Sequence, residues 1–180
     1  MQIWAAVDVD RPLRRLKETV TALEKELCFE QSNCSALPLH ISLKLPAEVP
    51  DSSINALRED ISALFQAADA FETETDGIEL HDGLIWIRLR ANERLRSLHG
   101  SLCTLYRERY GLPPHRFDTG SAFTFHVTLF LDRDMEKLRQ AYQRIRSLPI
   151  PRVIPADTFI IGSSPEGQPG TWHVDRSITR

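Results

Sequence analysis

The chain has 180 residues, 42% of them apolar, which suffices to bury the core of one domain with no metal or disulfide staple. Its 22 Lys and Arg against 25 Asp and Glu leave a net charge of −3, which excludes a global pull towards long nucleic acid or an anionic membrane. Cys28, Cys34 and Cys103 are odd in number and lack Cys-x-x-Cys spacing, so neither a disulfide framework nor a thiolate zinc site is suggested, and a reducing cytoplasm is expected.

Residues Ile3 to Val9 read as a short apolar strand, ended by Asp10-Arg11-Pro12, with Asp10 expected to cap a helix and Pro12 to sit in its first turn. Asp8 and Asp10 interrupt the apolar run that a signal peptide would carry, and no stretch approaches membrane-span length, so neither export nor insertion is expected. Leu13, Leu16, Val20, Leu23 and Leu27 form one apolar stripe of a helix ending near Cys28. A polar, turn-prone stretch from Glu30 to Leu37 leads to a strand carrying His40 and Ser42, which Pro46 is expected to close.

Asp51 is placed to cap a second helix with the stripe Ile54, Leu57, Ile61, Leu64 and Phe65. Phe71 to Leu80 and Leu84 to Leu89 read as two strands of a hairpin turning at His81-Asp82-Gly83. A third helix starts after Asn92, buries Leu95, Leu98, Leu102 and Leu105, and ends at Gly111-Leu112-Pro113-Pro114, the start of a long loop to Ala122. A strand with His126 and Thr128 follows, then a fourth helix capped by Asp132 or Asp134 and running through Met135, Leu138, Ala141, Tyr142 and Ile145 to a stop at Pro149 and Pro151. Arg152 to Gly162 and Thr171 to Ile178 read as the last two strands.

Two stretches share one pattern: His40-Ile41-Ser42-Leu43-Lys44 and His126-Val127-Thr128-Leu129-Phe130. Strand residues two apart point to one face, so each stretch presents an imidazole beside a hydroxyl and turns an apolar face inward. Strand, helix, His-bearing strand, helix and strand recur in the same order, with offsets of 80 residues (Ile3 to Gly83) and 86 (His40 to His126). One domain, 1–180, is therefore expected, built of two duplicated units, roughly 1–80 and 83–180, whose His-bearing strands face each other across a groove about a pseudo-two-fold axis.

Two imidazoles, with an ordinary pKa of about 6.5, suit a reaction that takes a proton from water and gives one to a leaving oxygen, as opening a cyclic phosphodiester requires. Ser42 and Thr128 are placed to donate to the non-bridging oxygens as charge builds there. By simple alternation Lys44 shares the face of His40 and Ser42 and would add positive charge, while Phe130 shares the face of His126 and Thr128 and would stack on a base. Arg116, with His115, is read as a flank of the groove. His81, His99 and His173 are expected to be structural or solvated, and Trp4, Trp86 and the cysteines to pack the core. Lys44, Arg88, Arg90 and Arg116 would equally serve a module that binds an RNA end or nucleotide without turnover. A metal hydrolase using His40 and His126 as ligands ranks last, because neither motif supplies a second ligand at the right spacing.

The paired stretches Leu39 to Lys44 and Phe125 to Leu129, together with the opening Met1-Gln2-Ile3-Trp4-Ala5-Ala6-Val7-Asp8, resemble the two-histidine phosphoesterases, specifically the bacterial 2′-5′ RNA ligase-like or RNA 2′,3′-cyclic phosphodiesterase branch. The resemblance spans nearly the whole chain. It implies an α+β fold of two pseudo-symmetric lobes, each an antiparallel sheet with helices outside, around a central groove. It further implies metal-independent hydrolysis of 2′,3′-cyclic phosphates to 2′-phosphates without a cofactor, and in some members reversible 2′-5′ ligation of RNA ends. The implied catalytic residues are His40, Ser42, His126 and Thr128; the partner is an RNA 3′ end or nucleotide bearing a 2′,3′-cyclic phosphate, met in the cytoplasm by a monomer. Ser42 stands where Thr is usual in that group, and Phe125 where Pro often precedes the second His. The same group also acts on small nucleotides and on other cyclic or linear phosphodiesters.

Overall fold

The computed structural model describes residues 1–29, 36–90, 92–118, 123–168 and 170–180. Residues 30–35 of the turn-prone stretch, Cys34 among them, and residues 119–122 of the long loop lie outside the described residues. The described elements run β1 (Gln2–Asp8), α1 (Arg14–Glu26), β2 (His40–Glu48), α2 (Ile54–Ala67), β3 (Phe71–His81), β4 (Leu84–Leu89), α3 (Glu93–Thr104), β5 (His126–Leu131), α4 (Met135–Ile145), β6 (Val153–Ala156), β7 (Thr158–Ser164) and β8 (His173–Thr179). The fold is α+β.

All strand pairs are antiparallel, in the order β6-β3-β4-β5-β2-β1-β7-β8. The two His-bearing strands lie at the centre and meet at one register pair, Ile41 with Val127. On each side the next strand outward is the one that opens a sequence unit, β1 beside β2 and β4 beside β5. The third positions are exchanged between units: β3 lies beside β4, and β7 beside β1. One face of the sheet and the helices enclose a continuous core that includes Val7, Ile41, Leu43, Ile85, Ile87, Val127, Leu102 and Phe159.

Helix entries follow their caps only where the cap has no stronger claim on it. Asn92 accepts from the Leu95 amide at 2.9 Å, and Asp134 accepts from the Glu136 and Lys137 amides at 2.9 and 3.2 Å, as N-caps do. Asp10 does not cap α1, which begins at Arg14; its Oδ1 accepts instead from the Leu39 amide at 2.9 Å and pairs with Lys17, tying the chain just ahead of His40 to the end of β1. Asp51 opens a 3₁₀ turn before α2, and the cap position of α2 itself falls to Ser53. Pro46 does not close β2, because pairing with β1 continues through Ala47 and Glu48, opposite Ile3 and Gln2.

The expected single strand from Arg152 to Gly162 is two strands at different places in the sheet. β6 pairs with β3 at one edge, and β7 pairs with β1 in the other half, with only Asp157 between them. Two Cα steps span at most about 7.6 Å, so the sheet curls until its β6 edge comes round to β7. That curl is a tertiary property, invisible to a β-prone run.

Candidate active site

The central pairing sets the site. With Ile41 opposite Val127 in antiparallel register, His40 falls opposite Thr128 and Ser42 opposite His126. Continued one residue to each side, this register makes a square of the four with the histidines on one diagonal, where the Cβ atoms of such neighbours lie somewhat less than about 7–8 Å apart. The first expectation, that the two motifs come together, follows from this one contact.

Both histidines are held in the same way. His40 Nδ1 lies 2.9 Å from the Pro38 carbonyl and His126 Nδ1 lies 2.9 Å from the Thr124 carbonyl. A carbonyl only accepts, so each Nδ1 carries the proton and each Nε2 is the working nitrogen. Each imidazole also lies against a tryptophan: Trp4 with His40 at a ring separation of 4.6 Å, and Trp86 with His126 at 4.3 Å. Trp4 therefore packs as expected, though in a small buried cluster on the histidine face and not in the main core, whereas Trp86 is only partly buried. Their positions were readable in principle, since Trp4, Ala6 and Asp8 alternate on β1, and Trp86 and Arg88 on β4, with buried residues between them.

The supports of the two tryptophans differ. Trp4 is 4% exposed, packs with Ala6, Leu37 and Ile160, and lies so close over Gly162 that a Cβ there would meet its Nε1 at 2.3 Å. Trp86 Nε1 donates to Glu79 Oε2 at 3.1 Å, and the ring of His81 lies tilted against the indole with a ring separation of 4.1 Å. His81 Nε2 meets the same carboxylate oxygen at 3.1 Å, and Arg88 bridges Glu79 and Asp76. Burial pushes the Glu79 carboxyl up, but the hydrogen bonds from Trp86 and His81 and the charge of Arg88 outweigh it, and the group stays below its usual range. His81 is thus part of the wall beside His126.

Burial lowers the basicity of both histidines. Desolvation pushes His40 below 6.5 against the help of the Pro38 carbonyl, and pushes His126 below 6.5 with further opposition from the charges of His40 and His81. Opposite His40 on β1 stands Asp8, whose carboxyl is raised by burial, and opposite His126 on β4 stands Arg88. The near-symmetric motifs therefore sit in unlike electrostatic surroundings.

Lys44 and Phe130 do not join the site, and one feature removes both. Register runs Asp8 with His40, Val7 with Ile41 and Ala6 with Ser42, then jumps to Ala5 with Lys44. In the other half it runs Arg88 with His126, Ile87 with Val127 and Trp86 with Thr128, then jumps to Ile85 with Phe130. Leu43 and Leu129 are the extra residues of two equivalent β-bulges, and each bulge turns the next side chain onto the helix face. Lys44 is 1% exposed, bonded to Asp118 at 2.7 Å and set 4.8 Å over the Tyr106 ring. Phe130 is 1% exposed and packs on Phe29. A side chain sealed to that degree touches no substrate. Arg116 lies over the Phe117 ring and lines a cleft with Pro46 to Pro50, about 20 Å along β2 from His40, and no contact brings it to either histidine.

The model of the 2′-5′ RNA ligase superfamily matches residues 4–168. The chain belongs to that superfamily, the two-histidine phosphoesterases. Membership supports an enzyme with phosphodiesterase-type activity. No curated protein matches the chain in sequence. Among solved structures, E. coli LigT complexed with 3′-AMP is 16% identical, with a TM-score of 0.56 over 99% of this chain and 96% of that one. TT0787 of Thermus thermophilus is 18% identical, with a TM-score of 0.57 over 99% and 97%. E. coli LigT complexed with NADP+ is 16% identical, with a TM-score of 0.58 over 99% and 96%. At these identities the likeness establishes the superfamily fold and no more. Among the described residues, no helix is long and apolar enough to cross a membrane.

Proposed function

We propose that this superfamily member hydrolyses 2′,3′-cyclic phosphodiesters, on RNA ends or nucleotides, to 2′-phosphates without a metal or cofactor. The observation that carries the reading is the square of His40, Ser42, His126 and Thr128, with both Nδ1 atoms committed to backbone carbonyls and both Nε2 atoms left for chemistry. We assign His126 as the base: burial favours the neutral form of both histidines, and at His126 the charges of His40 and His81 add to it. Its Nε2 takes a proton from water as the water oxygen bonds to phosphorus. The bond from phosphorus to O3′ breaks, His40 Nε2 gives its proton to O3′, and the phosphate stays on O2′. Ser42 and Thr128 donate to the non-bridging oxygens. A 5′-hydroxyl in place of water gives a 2′-5′ linkage by the same steps, which reverse.

A nucleotide substrate is supported by the LigT structures solved with 3′-AMP and with NADP+. Arg88 and Arg90 add little free charge for longer RNA, since Glu74, Asp76 and Glu79 already pair with them. The protein would work on RNA processing products in the cytoplasm as a monomer, in keeping with an exposed, unpaired Cys28.

The test is turnover of a 2′,3′-cyclic nucleotide and of an RNA ending in a 2′,3′-cyclic phosphate, with EDTA present, by wild type, His40→Ala, His126→Ala and Thr128→Val. Turnover that survives EDTA, falls by about 10²–10⁴-fold in each histidine variant and by about 10²-fold in Thr128→Val supports the mechanism. A folded wild type that binds these substrates without forming product refutes it in favour of a binding module.

A further inference from the structure

On the opposite face of the sheet, behind β2, a second cluster of donors has no part in the reaction above. α3 carries His99 and Cys103 one turn apart, so both project from the same side of the helix. After α3 the chain makes a π-helical turn, Leu105 to Arg109, which brings in Tyr106, and then returns along 112–118 to bring in Asp118. These residues and Lys44 line a cavity of about 260 Å³.

The three donor atoms of His99, Cys103 and Asp118 lie within 4.8 Å of one another. His99 Nδ1 donates to the Leu43 carbonyl at 2.8 Å, which leaves Nε2 with its lone pair, and Cys103 Sγ lies beside the ring, 3.7 Å from Nε2 and 3.8 Å from Nδ1. A tetrahedral zinc with N at about 2.0–2.1 Å and S at about 2.3 Å sets those two atoms about 3.6 Å apart on the lone-pair side of Nε2, so Cys103 would turn about its Cα–Cβ bond from beside the ring towards that lone pair when a metal binds. The carbonyl behind His99 is the kind of outer partner that orients metal-binding imidazoles. Asp118 Oδ2 accepts from Lys44 Nζ at 2.7 Å and from the His115 amide at 3.0 Å, while its Oδ1 is buried with no hydrogen-bond partner. Tyr106 Oη is likewise buried without a partner, in a residue 1% exposed. Unpaired oxygens at such depth are uncommon, and here two border one cavity that also holds an imidazole and a thiol.

We infer that His99 Nε2, Cys103 Sγ and Asp118 Oδ1 bind one zinc-class divalent cation, with a non-protein fourth ligand that Tyr106 hydrogen-bonds. A sulfur and an imidazole nitrogen among three donors select zinc over magnesium or calcium. Binding displaces the thiol proton of Cys103 to solvent, and Lys44 stays on the far oxygen of Asp118. The metal pins α3 and the 112–118 segment to β2, the strand that presents His40 and Ser42, and takes no part in the chemistry of the groove.

The test is a titration of reduced, chelator-stripped protein with Co²⁺, followed by Zn²⁺. One equivalent of Co²⁺ is expected to produce thiolate-to-cobalt absorption in the near ultraviolet that one equivalent of Zn²⁺ abolishes. The band should persist in a Cys28→Ser/Cys34→Ser protein, vanish in Cys103→Ser, and need at least about tenfold more metal in Asp118→Asn. Should Cys103→Ser fail to fold, mass-mapped alkylation of wild type decides instead: Zn²⁺ is expected to slow modification of Cys103 and leave Cys28 unchanged. No cobalt band, a band that survives loss of Cys103, or Cys103 alkylation indifferent to Zn²⁺ overturns the inference.

Discussion

Replacing Lys44 by Met separates a substrate contact from a core ion pair. Both side chains of the Lys44–Asp118 pair are 1% exposed, and methionine keeps the length of the lysine stem while removing the charge. Asp118 is then left as a buried carboxylate whose Oδ2 keeps only the His115 amide and whose Oδ1 has no hydrogen-bond partner. Removing one member of a buried pair costs about 3–5 kcal/mol. For a chain of this size each kcal/mol lowers the melting temperature by about 2–4 °C, so a fall of about 6–20 °C is expected. Adding Asp118→Leu removes the stranded charge and should recover most of that loss. With chelator present and the temperature held well below each transition, kcat/KM on a 2′,3′-cyclic nucleotide should stay within about twofold of wild type, because the ammonium faces away from the histidines. Calorimetry and steady-state kinetics on the same samples decide. A tenfold fall in kcat/KM with an unchanged melting temperature would place Lys44 at the substrate and refute the bulge at Leu43.

Because burial holds both histidines below 6.5, the kcat/KM optimum on a cyclic nucleotide should fall on the acid side of pH 6.5, the base staying neutral and the acid losing its proton at lower pH than usual; a plateau from pH 7 to 9 contradicts this. The same depression acts on stability: the unfolded chain takes up protons at 6.5 and the folded chain only below that, so stability falls as the pH drops from 6.5 to the folded values. Urea melts in that window should show a shallower loss for His40→Leu than for wild type, and an equal slope would mean that His40 titrates normally. Gly162→Ala drives a methyl into the Trp4 indole and should cost about 1–3 kcal/mol. It should also lower kcat by displacing the wall of His40, whereas unchanged kcat in the folded variant would make Trp4 irrelevant to that imidazole.

The sequence by itself determined what depends on local period and local hydrogen bonds. Alternation through His40-Ile41-Ser42 and His126-Val127-Thr128 put imidazole and hydroxyl on one face of each strand, and Asn92 and Asp134 marked helix starts because a short polar side chain there closes on amides two or three residues ahead. Local period failed where a strand's partner overrules it. The bulges at Leu43 and Leu129 exist only as mismatches against β1 and β4, and each moved one predicted contact, Lys44 and Phe130, into the core. Asp10 was lost as a cap to the Leu39 amide, 29 residues away, and the strand expected from Arg152 to Gly162 broke at Asp157 because its two parts serve opposite halves of a curled sheet. Alternation could place each tryptophan on a strand face, but its meeting with a histidine, like the meeting of Lys44, His99, Cys103 and Asp118, was decided by folding, since chain neighbours constrain which way a side chain points but not what lies at its end.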